Sequence, residues 1–319
     1  MRLYINDCTD PYFNLAAEQY LLDTEDGPVF MLWRNSRSVI IGRNQNAYAE
    51  IDRTFVRDNG IAVVRRLTGG GAVFHDPGNL NYTFIVPKDG PSGIDFRRFC
   101  EPVIDLLRSL GVPAELSGRN DMTAEGRKFS GNAQCVYNGK ILHHGTLLFN
   151  ADVSEMAGAL HVDPEKMTGK GIKSVRSRVC NLIEYLPDMT VLGLRDALIA
   201  AVSGDPESFS ASQTAGIEAL RTEKYATWEW NYGISKQYGK VVSRRFPYGT
   251  VRLSYTADHG RITEARFEGD YFGVKPVSAL EESLVGCRLT GMELTERLAE
   301  CGDFISGSSP EELAELFEI

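Results

Sequence analysis

The sequence predicts an α+β fold on mixed sheets, with a larger unit over residues 1–235 and a small α/β unit over 236–319. Three observations predict it. Short apolar runs come in neighbouring pairs as well as beside amphipathic helices, unlike the strict alternation of a doubly wound parallel sheet. Asn138-Gly139, set between apolar runs in VYNGKI, is a strong hairpin signal and makes at least one strand pair antiparallel. The composition also breaks at WEWNYGISKQYGK (228–240), before a new run of strands starts at Val241.

In order, the chain opens directly into a strand over residues 1–5. Asp10-Pro11 then supplies an N-cap and an N1 proline for a helix over 12–22, with Phe13, Ala17, Tyr20 and Leu21 apolar. Residues 28–34 and 38–42 read as buried strands bounded by Asn and Gly. A helix is expected over 48–59, and a strand over 61–65 runs straight into a glycine triplet. Residues 79–86 alternate as a strand, and 96–110 form a helix closed by Gly111 at C′. The hairpin's second strand carries His143-His144-Gly145 on to Phe149. Residues 191–225 are mainly helical, interrupted by SGDPESFSAS, and 228–240 reads as a linker. Beyond it, strands turn at Asp258-His259-Gly260. Two or three helices follow, the last opened by a Ser309–Glu312 capping box with Pro310 at N1.

Composition narrows the function. At 319 residues, 43% hydrophobic and 24% charged, the chain has the make-up of an ordinary globular protein. No secretory signal opens the sequence and no apolar run approaches membrane-span length, so no membrane role is expected. The six cysteines are scattered without a C-x-x-C pair, which speaks for a reducing, cytoplasmic setting and against a disulfide framework or zinc site. A net charge of −9 speaks against a nucleic-acid binder.

The chemistry gathers in four segments. In RRLTGGGAVFHDPGN (65–79) the glycines are not a Walker A loop, because no Gly-Lys-Ser/Thr closes them, and they miss the dinucleotide spacing. Arg65 and Arg66 offer fork donors suited to phosphate, and backbone N–H groups of residues 69–71 can line an anionic or extended ligand. His75-Asp76 reads either as a base with its orienting acid or as a ligand contact beside a loop-positioning acid. In GRNDMTAEGRKFSGNAQ (118–134), Asn120-Asp121 provides acceptors, and Lys128 lies between two glycines ahead of an apolar strand. In HHGTLLFNAD, His143 and His144 point to opposite strand faces, so one is expected in the pocket and the other exposed; neither reads as a metal ligand. KGIKSVRSRVCNL (170–182), with Lys170 and Lys173, is a basic loop able to close over phosphate.

In this order the four segments resemble the lipoate–protein ligase A family, over nearly the whole chain. The resemblance implies a catalytic domain like those of biotin ligases and class II synthetases, with a small accessory domain. It implies a lipoate-binding loop at Arg66, Gly71, Ala72, Val73 and Phe74, with Thr68 keeping the hydroxyl of the family's usual Ser-Gly-Gly-Gly. It also implies that Lys128 contacts both carboxylate and adenylate phosphate, and that Lys173 belongs to the adenylate-binding loop; His75 and Asp121, the latter a candidate metal or adenylate contact, complete the candidate set. The implied activity is ATP- and magnesium-dependent conversion of lipoate to lipoyl-AMP. Transfer then goes to a lysine of apo lipoyl domains in 2-oxoacid dehydrogenase complexes, or of the glycine-cleavage carrier protein. Two rivals remain: an octanoyl or lipoyl transferase working through Cys135 or Cys180, and a non-catalytic lipoate-binding protein.

Overall fold

The computed structural model describes residues 1–89, 94–160, 178–202, 204–232 and 240–317. Its larger unit is organised by an eight-stranded mixed sheet. The strands that build it are β1 (Arg2–Asn6), β2 (Val29–Trp33), β6 (Asn79–Pro87), β7 (Ala114–Ser117), β8 (Asp121–Ala124), β9 (Arg127–Tyr137), β10 (Lys140–Leu148) and β11 (Pro206–Glu207), in the order β11-β1-β2-β6-β10-β9-β8-β7. β1 runs parallel to both its neighbours; the other pairings are antiparallel. A small sheet, β4-β3-β5, is made by β3 (Ser38–Ile41), β4 (Ala62–Arg65) and β5 (Val73–His75). It delivers the glycine segment, which connects β4 to β5.

The period of two in β2 sorts its side chains to two cores. Phe30 and Leu32 join Leu80, Tyr82 and Phe84 of β6 against helix α4 (Arg97–Ser109). Val29, Met31 and Trp33 face the other way, towards helix α1 (Pro11–Thr24). On that α1 side β6 is polar: Asn81 opposes Trp33, and Thr83 opposes Met31. A row of buried polar residues on one face of an otherwise apolar strand needs partners, and that face holds the candidate site.

Local signals behave as expected where they are self-contained. Asp10 caps α1 through Tyr12 N at 2.9 Å with Pro11 at N1. Gly111 ends the α4 segment at φ +96°, and Asn138-Gly139 turn the β9–β10 hairpin at φ +47° and +73°. The expected helix over 48–59 is instead two short ones, Ala47–Glu50 and Arg53–Asp58. The break falls where Asp52 caps Phe55 N at 2.8 Å while its own N–H bonds Ala159 O.

The C-terminal unit is an antiparallel sheet of β12 (Lys240–Phe246), β13 (Gly249–Asp258) and β14 (Arg261–Gly269) under four short helices, more than the two or three expected. Its core gathers Val251, Leu253, Phe267, Leu284 and Leu298. Part of the expected linker is structured: Trp228–Asn231 form a helical turn docked on β4. The boundary at 235/236 falls outside the described residues. Among those described, no helix is long and apolar enough to cross a membrane.

Candidate functional site

A cleft opens between the α1-facing side of the large sheet and the glycine segment. Leu15, Trp33, Ile40 and Val73 make it apolar on one side, and Asn120 and Lys128 stand on another. The sheet register explains this: Trp33 on β2, Asn81 on β6 and Thr146 on β10 are successive cross-strand neighbours, and Thr146 Oγ1 reaches Gly131 N on β9 at 3.1 Å. Lys128, near the start of β9, lies over Gly131, where an added Cβ would come 3.2 Å from its Nζ.

Lys128 is thus the start of a strand rather than part of a loop, the hairpin before it turning at Glu125-Gly126 with both φ positive. Its Nζ pairs with Asp121 Oδ1 at 2.8 Å, each side chain 38% exposed. Being part-exposed, the pair is weak enough for a stronger anion to compete. Its backbone is held too, by Cys180 N to Lys128 O at 2.9 Å.

The two arginines differ from expectation. Arg65 is spent on protein carbonyls: Nη1 donates to Gly42, Arg43 and Gln45, Nε to Trp230 O and Nη2 to Asn231 O. It fastens the Trp228–Asn231 turn to β4 and offers no free fork to phosphate. Arg66 is buried, donating to Ile40, Gly69 and Gly71 carbonyls and to Thr68 Oγ1. Burial pulls its pKa down to about 10, with Glu18 opposing. It lines the cleft but acts on the loop backbone.

The glycines also divide. At Gly69 a Cβ would strike Tyr271 O at 2.5 Å, and at Gly70, with φ +87°, the Phe272 ring at 2.9 Å. These two admit another part of the same chain; Gly70 N donates to Tyr271 O at 3.2 Å. Phe272 is held in turn by Phe96 and by Arg119, whose guanidinium lies 4.5 Å over its ring. Only Gly71 has open space where a Cβ would be, and with Ala72 and Val73 it borders the cleft.

Strand alternation in β5 puts Val73 and His75 on the cleft but turns Phe74 into the opposite core with Val39, Ile41 and Val63. Phe74 therefore does not border the cleft. His75 is buried, its Nδ1 3.1 Å from Asn35 Nδ2, and its Nε2 has no partner among the described residues. Burial drives its pKa to about 3, so it stays neutral. Asp76 accepts from Gly78 N and Asp152 N, a loop-positioning role as expected. His144 borders the cleft, but His143 is not exposed: it is 0% accessible and stacks on Phe99 at 4.8 Å. Both sheet faces are covered, so both histidines are buried. Lys170 and Lys173 lie outside the described residues.

Neither cysteine is poised as a nucleophile. Burial lifts the Cys135 thiol to about 12 and raises that of Cys180, with Arg127 acting against the latter shift. Trp33, Asn81 and Glu18 were not read from the sequence as site residues. The available signal was the alternation Asn79, Asn81, Thr83 within an apolar strand.

Family models match twice, the lipoyl protein ligase A/B catalytic domain over residues 10–203 and the bacterial lipoate protein ligase C-terminus over 235–317. The chain is 45% identical over 288 residues to Bacillus subtilis lipoate-protein ligase LplJ, covering 87% of each chain. It is 40% identical over 302 residues to Staphylococcus aureus lipoate–protein ligase 1, covering 92% of each. Two solved structures are each 30% identical. One, a lipoate-protein ligase A bound with ATP, has a TM-score of 0.64 and covers 73% of this chain and 99% of that one. The other comes from a Thermoplasma acidophilum bipartite lipoate protein ligase and its E2 lipoyl domain, with a TM-score of 0.66 over 75% and 98%. With both halves of its sequence matched and its fold shared, this chain belongs to the lipoate–protein ligase family.

Proposed function

We propose that the protein activates free lipoate with MgATP and then transfers the lipoyl group to a lysine of an apo lipoyl domain. The observation that carries this reading is one half-exposed lysine, Lys128, at a narrow cleft whose far wall is apolar. A medium-chain acid fits such a space tail inward, with its carboxylate at the ammonium. A carboxylate oxygen attacks the α-phosphorus of ATP, pyrophosphate leaves and lipoyl-AMP forms. The acceptor amine then attacks the acyl carbon, and AMP leaves with the bonding pair of the broken C–O bond.

In this reading Lys128 offsets the repulsion between two anions and stabilises charge on the phosphoryl group in the transition state. Asp121, released from Lys128, would be the carboxylate that helps hold magnesium, which would supply charge neutralisation for the departing pyrophosphate. Arg66 and Thr68 shape the loop, and Gly71, Ala72, Val73 and His75 border the acyl chain. The division of labour is a catalytic unit over 1–235 and an accessory unit over 236–319. The acceptors are 2-oxoacid dehydrogenase subunits and the glycine-cleavage carrier protein, and the setting is cytoplasmic. The buried, protonated Cys135 and Cys180 speak against the acyltransferase, and a poised lysine speaks against a binder without chemistry. Lipoate-dependent exchange of pyrophosphate into ATP is the test: exchange is expected only with the acid present, and its absence in a folded preparation counts against the reading.

A further inference from the structure

Behind the cleft wall lies an ordered chain of polar groups. Glu18 on α1 is 1% exposed and sits over the sheet where Thr83 and His144 are cross-strand partners. Its Oε1 accepts from Thr83 Oγ1 at 2.6 Å and lies in hydrogen-bond contact with His144 Nδ1 at 2.8 Å. His144 Nε2 is 2.8 Å from Thr68 Oγ1, which accepts from Arg66 Nε at 2.9 Å. A guanidinium only donates, so the Thr68 oxygen accepts from it. Thr68 and His144 thus link the Arg66 guanidinium to the Glu18 carboxylate group in one hydrogen-bonded chain. Glu50 also acts on Arg66, less than Glu18 does.

We propose that Glu18 is a positioning residue for lipoate activation: through His144 and Thr68 it holds Arg66, and through Arg66 the Gly69 and Gly71 carbonyls, in the shape lipoate meets. The proposal rests on the lipoate-ligase reading. Its reason is electrostatic. A buried guanidinium whose buried counter-charge is removed must draw in water or move. Arg66 cannot move without releasing the loop carbonyls it binds. Lys128 and Asp121 pair with each other, on a different strand pair.

The test is Glu18→Gln, which keeps the size and the bonding capacity while removing the charge. Pyrophosphate exchange is measured against lipoate and against ATP separately, with melting followed alongside. The lipoate KM rises about tenfold, within the coupling seen inside one hydrogen-bond network, while the ATP KM holds within about twofold. Thr68→Val breaks the chain at its middle with Glu18 intact, gives the same split, and carries the test should Glu18→Gln not fold. The double variant costs no more than the worse single. Unchanged lipoate KM with a lowered melting temperature assigns Glu18 to the fold alone and overturns the proposal, as do equal rises in both KM values or multiplied effects in the double variant. Lipoate binding by titration calorimetry repeats the comparison without turnover. A parent that binds lipoate but shows no exchange therefore counts against the ligase reading and not against this one.

Discussion

Lys128 holds one exposed-side ion pair and borders the cleft, so its removal separates stability from chemistry. A part-exposed pair contributes about 0–1 kcal/mol to stability. Loss of a charge-stabilising contact in a transition state costs about 2.7–4 kcal/mol, or roughly 10²–10³ in rate. Lys128→Ala is therefore expected to melt near the parent and to lose pyrophosphate exchange by that factor; near-normal exchange in the folded variant would remove this lysine from the mechanism. At this scale the sequence is only partly legible. Lys128 was readable because its surroundings, glycines and an apolar strand, are local. The role of Arg65 was not, because the carbonyls it serves are supplied by residues 42–45 and 230–231. Phe74 was misplaced by one step of strand alternation, and His143 because nothing local tells that α4 covers its face.

Among the elements, the glycine segment is decisive because two surfaces use it at once. Gly70 has φ +87°, and a side chain there meets the Phe272 ring and Arg66 Nη2. A β-branched residue at such a φ is strained by about 1–3 kcal/mol, and it presses on the arginine that holds the loop. Gly70→Val is expected to raise the lipoate KM at least about tenfold, the factor that 1.4 kcal/mol represents, and to lower the melting temperature, with a smaller change in the ATP KM. Equal losses for both substrates would mean general collapse of the segment. The need for glycine was legible, but half of its cause was not: Tyr271 and Phe272 are some 200 residues away in sequence. The Asn138-Gly139 hairpin and the Asp10 and Ser309 caps were legible because each is settled within four residues. The break at Asp52 was not, since its N–H is claimed by Ala159.

For the whole molecule, the question is whether ATP or a carrier thioester supplies the energy of the amide. The thioester route needs a thiolate near neutral pH. Cys135 is held protonated by burial, up to about 12, and Cys180 is shifted the same way. The Cys135→Ser/Cys180→Ser double variant is expected to keep most ATP-dependent lipoylation, read by the rate of acceptor modification. Loss of activity in the folded double variant, with an acyl thioester trapped on the parent, would favour the transferase. The order of the four segments made the family legible at this scale. The way the C-terminal unit reaches the glycine loop through Tyr271 and Phe272 was not, because no local pattern encodes a contact between two units.

The central claim is that this chain spends ATP to join lipoate to a protein lysine. The most direct measurement is the intact mass of an apo lipoyl domain after incubation with the protein, lipoate and MgATP. The expected result is a gain of one lipoyl group that requires ATP and disappears when the acceptor's target lysine is replaced by arginine. An unmodified acceptor in the presence of the folded protein, or modification that proceeds without ATP from an acyl-carrier thioester, would contradict it.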